Sequence, residues 1–434
     1  MQSMAERSNK RFTKAEKSWI MYDWANSVYA TNIMAAIFPI YFAMQADETG
    51  NKLYGFAVSA AALVVAVLAP ILGAIGDFSG MKKKLFSAFL VLGLVFTAVM
   101  AVFENWQLML IGYIISRIGF SGSCLFYDSF LTDVTTPDRM DRVSSWGYAM
   151  GYIGGSTIPF VISIVIMLVM GQSVLSYKIA ILIVVFWWGL FSIPFIKNVN
   201  QKYSVEDAPK ALAKEAFRNA WKTFKDILKD KKILFFIIAY FFYIDGVDTI
   251  ISMATNYGET LGLGTIGMIL ALLVTQIVAV PFSILFGKLA KKVGAMKMIT
   301  IAVCIYFVIT IIGFFMGFNI EQAELTGGDT KAALKLSSTL FWVLATLVGT
   351  VQGGIQALSR SYFGQLIPPE RSNEYYGFLD IFGKFSCVIG PALYALTYSS
   401  TGRASLGILS LILLFLGGII ALFMGRKYMK AEEN

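Results

Sequence analysis

The sequence has no histidine, and only three cysteines among 434 residues. Without histidine the chain lacks the commonest zinc ligand, the commonest general base and the side chain that titrates unperturbed near neutral pH. Any proton chemistry must run on carboxylates. Cys124, Cys304 and Cys387 each sit alone in an apolar segment, with neither disulfide nor metal-ligand spacing, so no metal site and no cofactor is expected. Charge is scarce too, at 15% of residues against about a quarter in a soluble domain. No G-x-x-x-x-G-K-S/T loop is present to cradle a nucleotide. Tyr22-Asp23 has no G-x-G-D partner in another apolar segment, as intramembrane aspartyl proteolysis would need, and the one Gly-Gly-Asp, Gly327 to Asp329, falls in a polar loop. The chain is read as a non-enzyme.

What is abundant is apolar sequence: 57% of residues, with a mean hydropathy of +0.68. A bilayer core of about 30 Å takes about 20 apolar residues per helix. Twelve segments qualify: 18–43, 53–76, 84–103, 106–132, 143–170, 176–196, 232–256, 265–288, 297–319, 338–362, 373–399 and 404–425. The expected fold class is an all-α membrane protein of twelve transmembrane helices. The first 17 residues are charged and lack a cleavable apolar core, so the first span acts as an uncleaved insertion signal. Lys10, Arg11, Lys14, Lys17, Lys82 to Lys84, Arg139, Arg142, Lys288 to Lys292, Arg426 and Lys427 collect on one side. That asymmetry puts both termini in the cytoplasm and accounts for the net charge of +9 without a nucleic-acid partner.

The chain repeats itself. The run G-A-I-G-D-F-S-G-M-K-K-K, Gly73 to Lys84, returns as G-K-L-A-K-K-V-G-A-M-K, Gly287 to Lys297. Further on, Pro137-Asp138-Arg139 answers to Pro369-Glu370-Arg371, Gly151 to Gly383 and Pro159 to Pro391, with a polar insert, Glu321 to Ser338, between the two sets. Repeats on that scale predict two homologous halves, 1–196 and 232–434, joined by a cytoplasmic linker, 197–231. The linker reads as an amphipathic helix with Leu212, Phe217, Trp221, Phe224 and Leu228 on one face and Lys214, Arg218, Lys222, Lys225 and Lys229 along the other. Such a helix lies at an anionic membrane surface. A structural connection between halves is the preferred role, and a regulatory docking site the alternative.

Charges inside membrane helices cost at least about 2.5 kcal/mol each, so each one is a functional candidate. Segment 1 carries Asp23, with Asn26 and Ser27 on its face and Tyr29 adjoining. In segment 4, Arg117, Ser121, Cys124 and Asp128 form one face, with Asp128 about 16 Å from Arg117. Segment 7 holds Asp245 and Asp248, preceded by Tyr243 and loosened by Gly246 as in the broken helices of transporter sites. Segment 10 offers Gln352, Gln356 and Ser359 on one face, with Arg360 near the cytoplasmic end. Asp380 and Lys384 in segment 11 have acid-then-base i,i+4 order. Asp77, Lys82, Lys83, Arg360, Asp380 and Lys384 read as a cytoplasmic gate of charge pairs, with static interface salt bridges as the alternative. The glycines Gly147, Gly151, Gly154, Gly155, Gly383 and Gly390 read as close helix packing.

The spacing of Gly73, Asp77, Gly80 and the following lysines resembles the loop between helices 2 and 3 of the major facilitator superfamily, although Phe78 stands where that family usually has a basic residue and Lys291 replaces the aspartate in the second copy. Y-D-W-A-N-S-V-Y-A-T-N, Tyr22 to Asn32, resembles the signature of the vacuolar amino-acid effluxers, the autophagy-related permeases, and their bacterial relatives. Three further strings agree in order along the chain: Y-D-S-F-L-T-D-V-T-T-P-D-R from Tyr127 with Gly151-Tyr152-Ile153-Gly154-Gly155, Tyr243-Ile244-Asp245-Gly246, and Q-A-L-S-R-S-Y-F-G-Q-L-I-P from Gln356. The resemblance implies a transporter of the amino-acid effluxer type, in a bacterial cell membrane.

The expected function is a secondary active transporter that moves a small polar solute by alternating access. Asp23, Asn26, Tyr29, Arg117, Tyr243, Asp245, Gln352 and Gln356 are the expected substrate residues, and Asp23, Asp128, Asp245 and Asp248 the candidate proton carriers. Its partners are then a small-molecule substrate, a proton or other coupling ion and the bilayer, with the chain itself a monomer. Tyr22, Tyr29, Trp146, Tyr148, Tyr152 and Tyr243 suit an aromatic or cationic drug equally well, which keeps an exporter of such compounds open. A non-transporting receptor or scaffold of the same fold is the third reading.

Overall fold

The computed structural model describes residues 11–205 and 212–429, and among them every regular element is helical. Among the described residues, twelve helices are long and apolar enough to cross a membrane. They are α1 (Lys14–Gln45), α2 (Glu48–Gly76), α3 (Met81–Val102), α4 (Trp106–Val134), α5 (Pro137–Val169), α6 (Val174–Asn198), α7 (Lys231–Thr260), α8 (Leu270–Val293), α9 (Ala295–Thr326), α10 (Thr330–Leu366), α11 (Pro369–Thr401) and α12 (Ala404–Tyr428). The linker helix runs Leu212–Lys229.

Their apolar residues point both ways. Helix α6 buries Ala180, Ile181, Val184 and Trp188, while Leu182, Phe186, Leu190 and Ile193 lie on its outer surface. An outer face this apolar is stable in lipid, where the helical ladder satisfies the backbone polar groups internally. Helix starts follow local chemistry. Thr13 and Glu16 form a reciprocal capping box on α1, and Asp47, Asn105 and Asp230 cap α2, α4 and α7 with side-chain oxygens.

The chain divides into two compact units. The first comprises Met1–Ala220 with Ile367–Gly377, and the second Trp221–Leu366 with Phe378–Asn434. The division thus runs through the linker helix, and the start of α11 belongs with the first unit.

In the first unit α3 packs along α4, and α1 lies against α5 and α6. Its core is aromatic: Trp19 stacks on Tyr127, and Tyr22 touches Phe86, Tyr127 and Phe195. Two membrane helices widen into π-helical turns, α1 over Tyr29–Ala36 and α5 over Gly151–Thr157, and these turns touch each other. Gly154 lies flat against the Trp24 indole and Gly155 against Ser27, so any side chain there would displace α1. In the second unit α8 packs along α10, α10 along α9, and α7 along α12. Tyr257, Phe341, Tyr394 and Leu411 are part of its core.

Two sequence expectations need correction. The polar insert Glu321 to Ser338 is not a loop: α9 continues to Thr326 and α10 begins at Thr330, leaving a turn at Gly327, φ 67°. Its Ala, Leu, Glu and Lys residues are strong helix formers, and Ile320 and Ser337 pack inward. Gly246 does not break α7, which runs unbroken from Lys231 to Thr260. The ring of Phe415 occupies the space a side chain at position 246 would need.

Candidate functional site

The densest polar cluster surrounds the turn between α2 and α3. Asp77 is 1% exposed, yet its carboxylate is fully engaged. One oxygen accepts from the backbone and side-chain amides of Asn373, at 2.9 and 2.7 Å, and the other from the backbone amide of Glu374 at 3.0 Å. Asp77 therefore supplies oxygen acceptors for the free N–H groups at the start of α11. Gly73 makes the approach possible, because a Cβ there would lie 2.7 Å from the Asn373 carbonyl carbon. Burial, reinforced by the Glu374 carboxylate, pushes the Asp77 carboxyl up to about 8, against Lys82 and two backbone amides that lower it.

Lys82, fully buried, pairs with Asp133 at 2.7 Å and also donates to the Ser129 carbonyl and the Ser372 hydroxyl. The other oxygen of Asp133 accepts from the backbone amides of Lys202 and Tyr203, which pins the chain leaving α6. Gln201 bonds the carbonyls of Gly76 and Phe78. A buried ion pair is tolerable only when its remaining donors and acceptors are satisfied, and here they are. Lys83 lies outside this cluster and bonds Asn200. Glu374 pairs with Arg371, and Glu16 binds Arg139 through both carboxylate oxygens.

Farther into the first unit, Arg117 is half-buried on α4 and donates to the Tyr113 hydroxyl at 2.8 Å. No carboxylate pairs with it among the described residues of its unit. Tyr113 stacks on Phe38 and contacts Tyr54, so the guanidinium sits at the edge of an aromatic cluster. Asp23 and Asn26 are buried on α1, where Gly151 and Gly155 of α5 meet Ser27. Tyr29 is fully buried, with its hydroxyl taken by Ser116. Asp128 is half-buried near the end of α4.

In the second unit Asp245 is fully buried on α7. Both its oxygens accept from the backbone amide of Gly390, at 2.9 and 3.1 Å, and Thr249 donates at 3.3 Å. Gly390 precedes Pro391, which lacks an N–H, so the carboxylate holds α11 where its own ladder is interrupted. Among the described residues of its unit no cation pairs with Asp245. Asp248 is half-buried, Tyr243 bonds Ser359 at 2.7 Å, and Lys384 pairs with Asp380. Arg360 is buried, Gln356 half-buried, and Gln352 lines a largely apolar cavity of about 100 Å³ with Tyr257, Thr275, Gln276 and Phe341. Among the described residues no three His, Cys, Asp or Glu side chains cluster to hold a metal.

Sequence reasoning passed over Asp133, Asn373 and Glu374. Asp133 lies inside the string quoted from Tyr127, but nothing local marks its partners, which come from two other stretches of chain, Lys82 and Lys202 with Tyr203.

The family model described as "Vacuole effluxer Atg22 like" matches residues 51–432. The chain belongs to that family. Among the relatives of the Atg22-like chain is the uncharacterized MFS-type transporter YxiO of Bacillus subtilis, 43% identical over 427 residues and covering 95% of both chains. Autophagy-related protein 22-1 of Sclerotinia sclerotiorum is 26% identical over 63% of this chain, which spans only 48% of the fungal protein. Among solved structures, the fucose transporter FucP in an outward conformation superposes with a TM-score of 0.70 at 14% identity, covering 95% of this chain and 98% of FucP. The human organic anion transporter MFSD10 gives 0.69 at 13% identity, over 94% and 99%. The fold is that of the major facilitator superfamily. The Atg22-like chain is a multi-pass membrane protein and a transporter of that superfamily.

Proposed function

We propose that the chain is a secondary active transporter working by alternating access, and that its substrate is a small polar solute bearing a carboxylate, an amino acid in the simplest case. The observation that carries this is Arg117. A guanidinium inside a membrane helix is costly, and its neighbours here are hydroxyls and aromatic rings without a carboxylate in its unit. That leaves a planar, permanently charged fork free to receive a carboxylate bidentately. The effluxer name of the family agrees with a transport function. Asp245 supplies the second function. Held by neutral donors and no cation of its unit, it is the carboxylate best suited to bind a proton or the substrate's amine.

The test is solute counterflow in proteoliposomes loaded with single amino acids. Arg117→Ala should abolish exchange of every carboxylate solute, and Arg117→Lys should restore a minor part, because an ammonium cannot reproduce the two parallel bonds. Unchanged exchange by Arg117→Ala would overturn the assignment. Asp23, Asn26, Asp128 and Asp248 are proposed to line the path, and Lys83, Arg360, Asp380 and Lys384 its cytoplasmic gate, together with the Asp77 and Lys82 cluster.

A further inference from the structure

The linker helix turns an unexpected face to its own protein. Its buried residues are Ala216, Ala220, Thr223 and Ile227, spaced four, three and four apart, and they form one stripe. Ala216 and Ala220 rest on Ala74 of α2, with Ile71 and Ile75 beside it. The large apolar residues follow one position later, about 100° around the helix. Phe217 is 64% exposed, Trp221 55% and Leu228 50%. Another step round come Arg218, Lys222, Lys225 and Lys229, all exposed, with Lys225 over the Trp221 ring at 5.6 Å.

Depth says what such a surface meets. Ile71, Ala74 and Ile75 are the closing turns of a membrane-spanning helix, and Phe224 of the linker lies 5.9 Å from Phe378, early in α11. The linker helix is therefore level with the bilayer boundary rather than out in solution. At that level, aromatic rings flanked by cations match the lipid interface, with rings among the upper acyl chains and cations among headgroup phosphates.

We infer that the exposed face of the linker helix, Phe217, Trp221 and Leu228 with Arg218, Lys222, Lys225 and Lys229, is a docking surface for anionic phospholipid headgroups. The helix binds its protein with small residues so that its large ones are left for the bilayer. This surface does not depend on which solute the carrier moves.

The experiment uses the full chain reconstituted in phosphatidylcholine vesicles with or without phosphatidylglycerol, and reads hydrogen exchange over residues 212–229. Exchange should slow in the anionic vesicles by about fivefold for each basic side chain near the surface, and high salt should erase the difference. Lys222→Glu with Lys225→Glu should lose the lipid dependence. Trp221→Ser should exchange faster in both vesicles while keeping the wild-type thermal midpoint. Brominated acyl chains should quench less fluorescence in Trp221→Phe than in wild type. Equal exchange in both vesicle types, or a charge-reversed variant that responds like wild type, would overturn the inference and leave this face to a protein partner.

Discussion

Asp77 and Asn373 meet twice, because the backbone amide and the side-chain amide of Asn373 both donate to the same oxygen of the Asp77 carboxylate. The side-chain Oδ1 of Asn373 in turn accepts from the Ser129 hydroxyl, which fixes the orientation of the side-chain amide. One short side chain thus joins the end of α2, the end of α4 and the start of α11, all within the first unit. Four expectations follow, three from this cluster and one from Asp245 in the second unit.

Asn373→Ala removes a side-chain donor to Asp77 and leaves the Ser129 hydroxyl with the Phe126 carbonyl as its acceptor. Buried polar groups stripped of a partner cost about 1–3 kcal/mol. Hydrogen exchange over residues 372–376 should speed up by about tenfold or more, since about 1.4 kcal/mol is one decade. Exchange at the wild-type rate would mean that the backbone bonds alone hold the start of α11.

The Asp77 contact should weaken as pH rises from the acid side toward about 8. The groups facing the carboxyl are Glu374, itself paired with Arg371, and Lys82, which is paired with Asp133. Released into water the carboxyl titrates near about 3.9, whereas docked it titrates at about 8. Docking therefore takes up a proton between those values, and its contribution, complete below the lower one, is lost as pH rises through the upper one. Asp77→Asn cannot titrate. The protection of residues 372–376 in wild type, relative to Asp77→Asn, should fall between about pH 4 and pH 8 and stay level above that. A constant ratio would rule the mechanism out.

Breaking the Lys82–Asp133 pair from one side leaves a buried charge, so Lys82→Met should destabilise by about 3–5 kcal/mol. The double variant Lys82→Met with Asp133→Leu should recover part of that loss. Recovery stays partial because the amides of Lys202 and Tyr203 then lose their acceptor. Thermal unfolding in detergent gives the cycle, and strictly additive losses would show that the two charges do not interact.

Asp245→Asn keeps an oxygen for the Gly390 amide but cannot carry a proton. If Asp245 couples transport to the proton gradient, uptake driven by an imposed pH difference should vanish while counterflow, which needs no net proton movement, persists. Gradient-driven uptake in the variant would move the coupling site to Asp23 or another carboxylate.

The number and type of the helices were plain in the sequence, because twenty-residue apolar runs admit few other solutions in lipid. The string around Asp77 was equally plain. Its partner was not, since Asn373 lies 296 residues away and carries no local sign of the role. The linker helix was legible as amphipathic, but its contact with the protein was not: Ala216 and Ala220, which rest on α2, stand out neither by size nor by charge. Gly246 looked like a hinge and proved to be clearance for Phe415. The wide turn of α1 left almost no trace, for Tyr29 to Ala36 contains neither glycine nor proline.

Those wide turns have a consequence for register. A π-helical turn is an α-helix carrying one extra residue, so the segments on either side of it are offset by about 100° from the phase a continuous α-helix would give them. In α1 this separates the polar stretch Tyr22–Asn32 from the aromatic stretch that begins at Phe38, letting each meet its neighbours in its own phase. A one-residue deletion elsewhere in α1 would rotate one stretch out of contact. A deletion between Tyr29 and Ala36 instead converts the wide turn into an ordinary one and leaves Phe38, Tyr41 and Phe42 in the phase that meets Tyr54, Tyr113 and Tyr177.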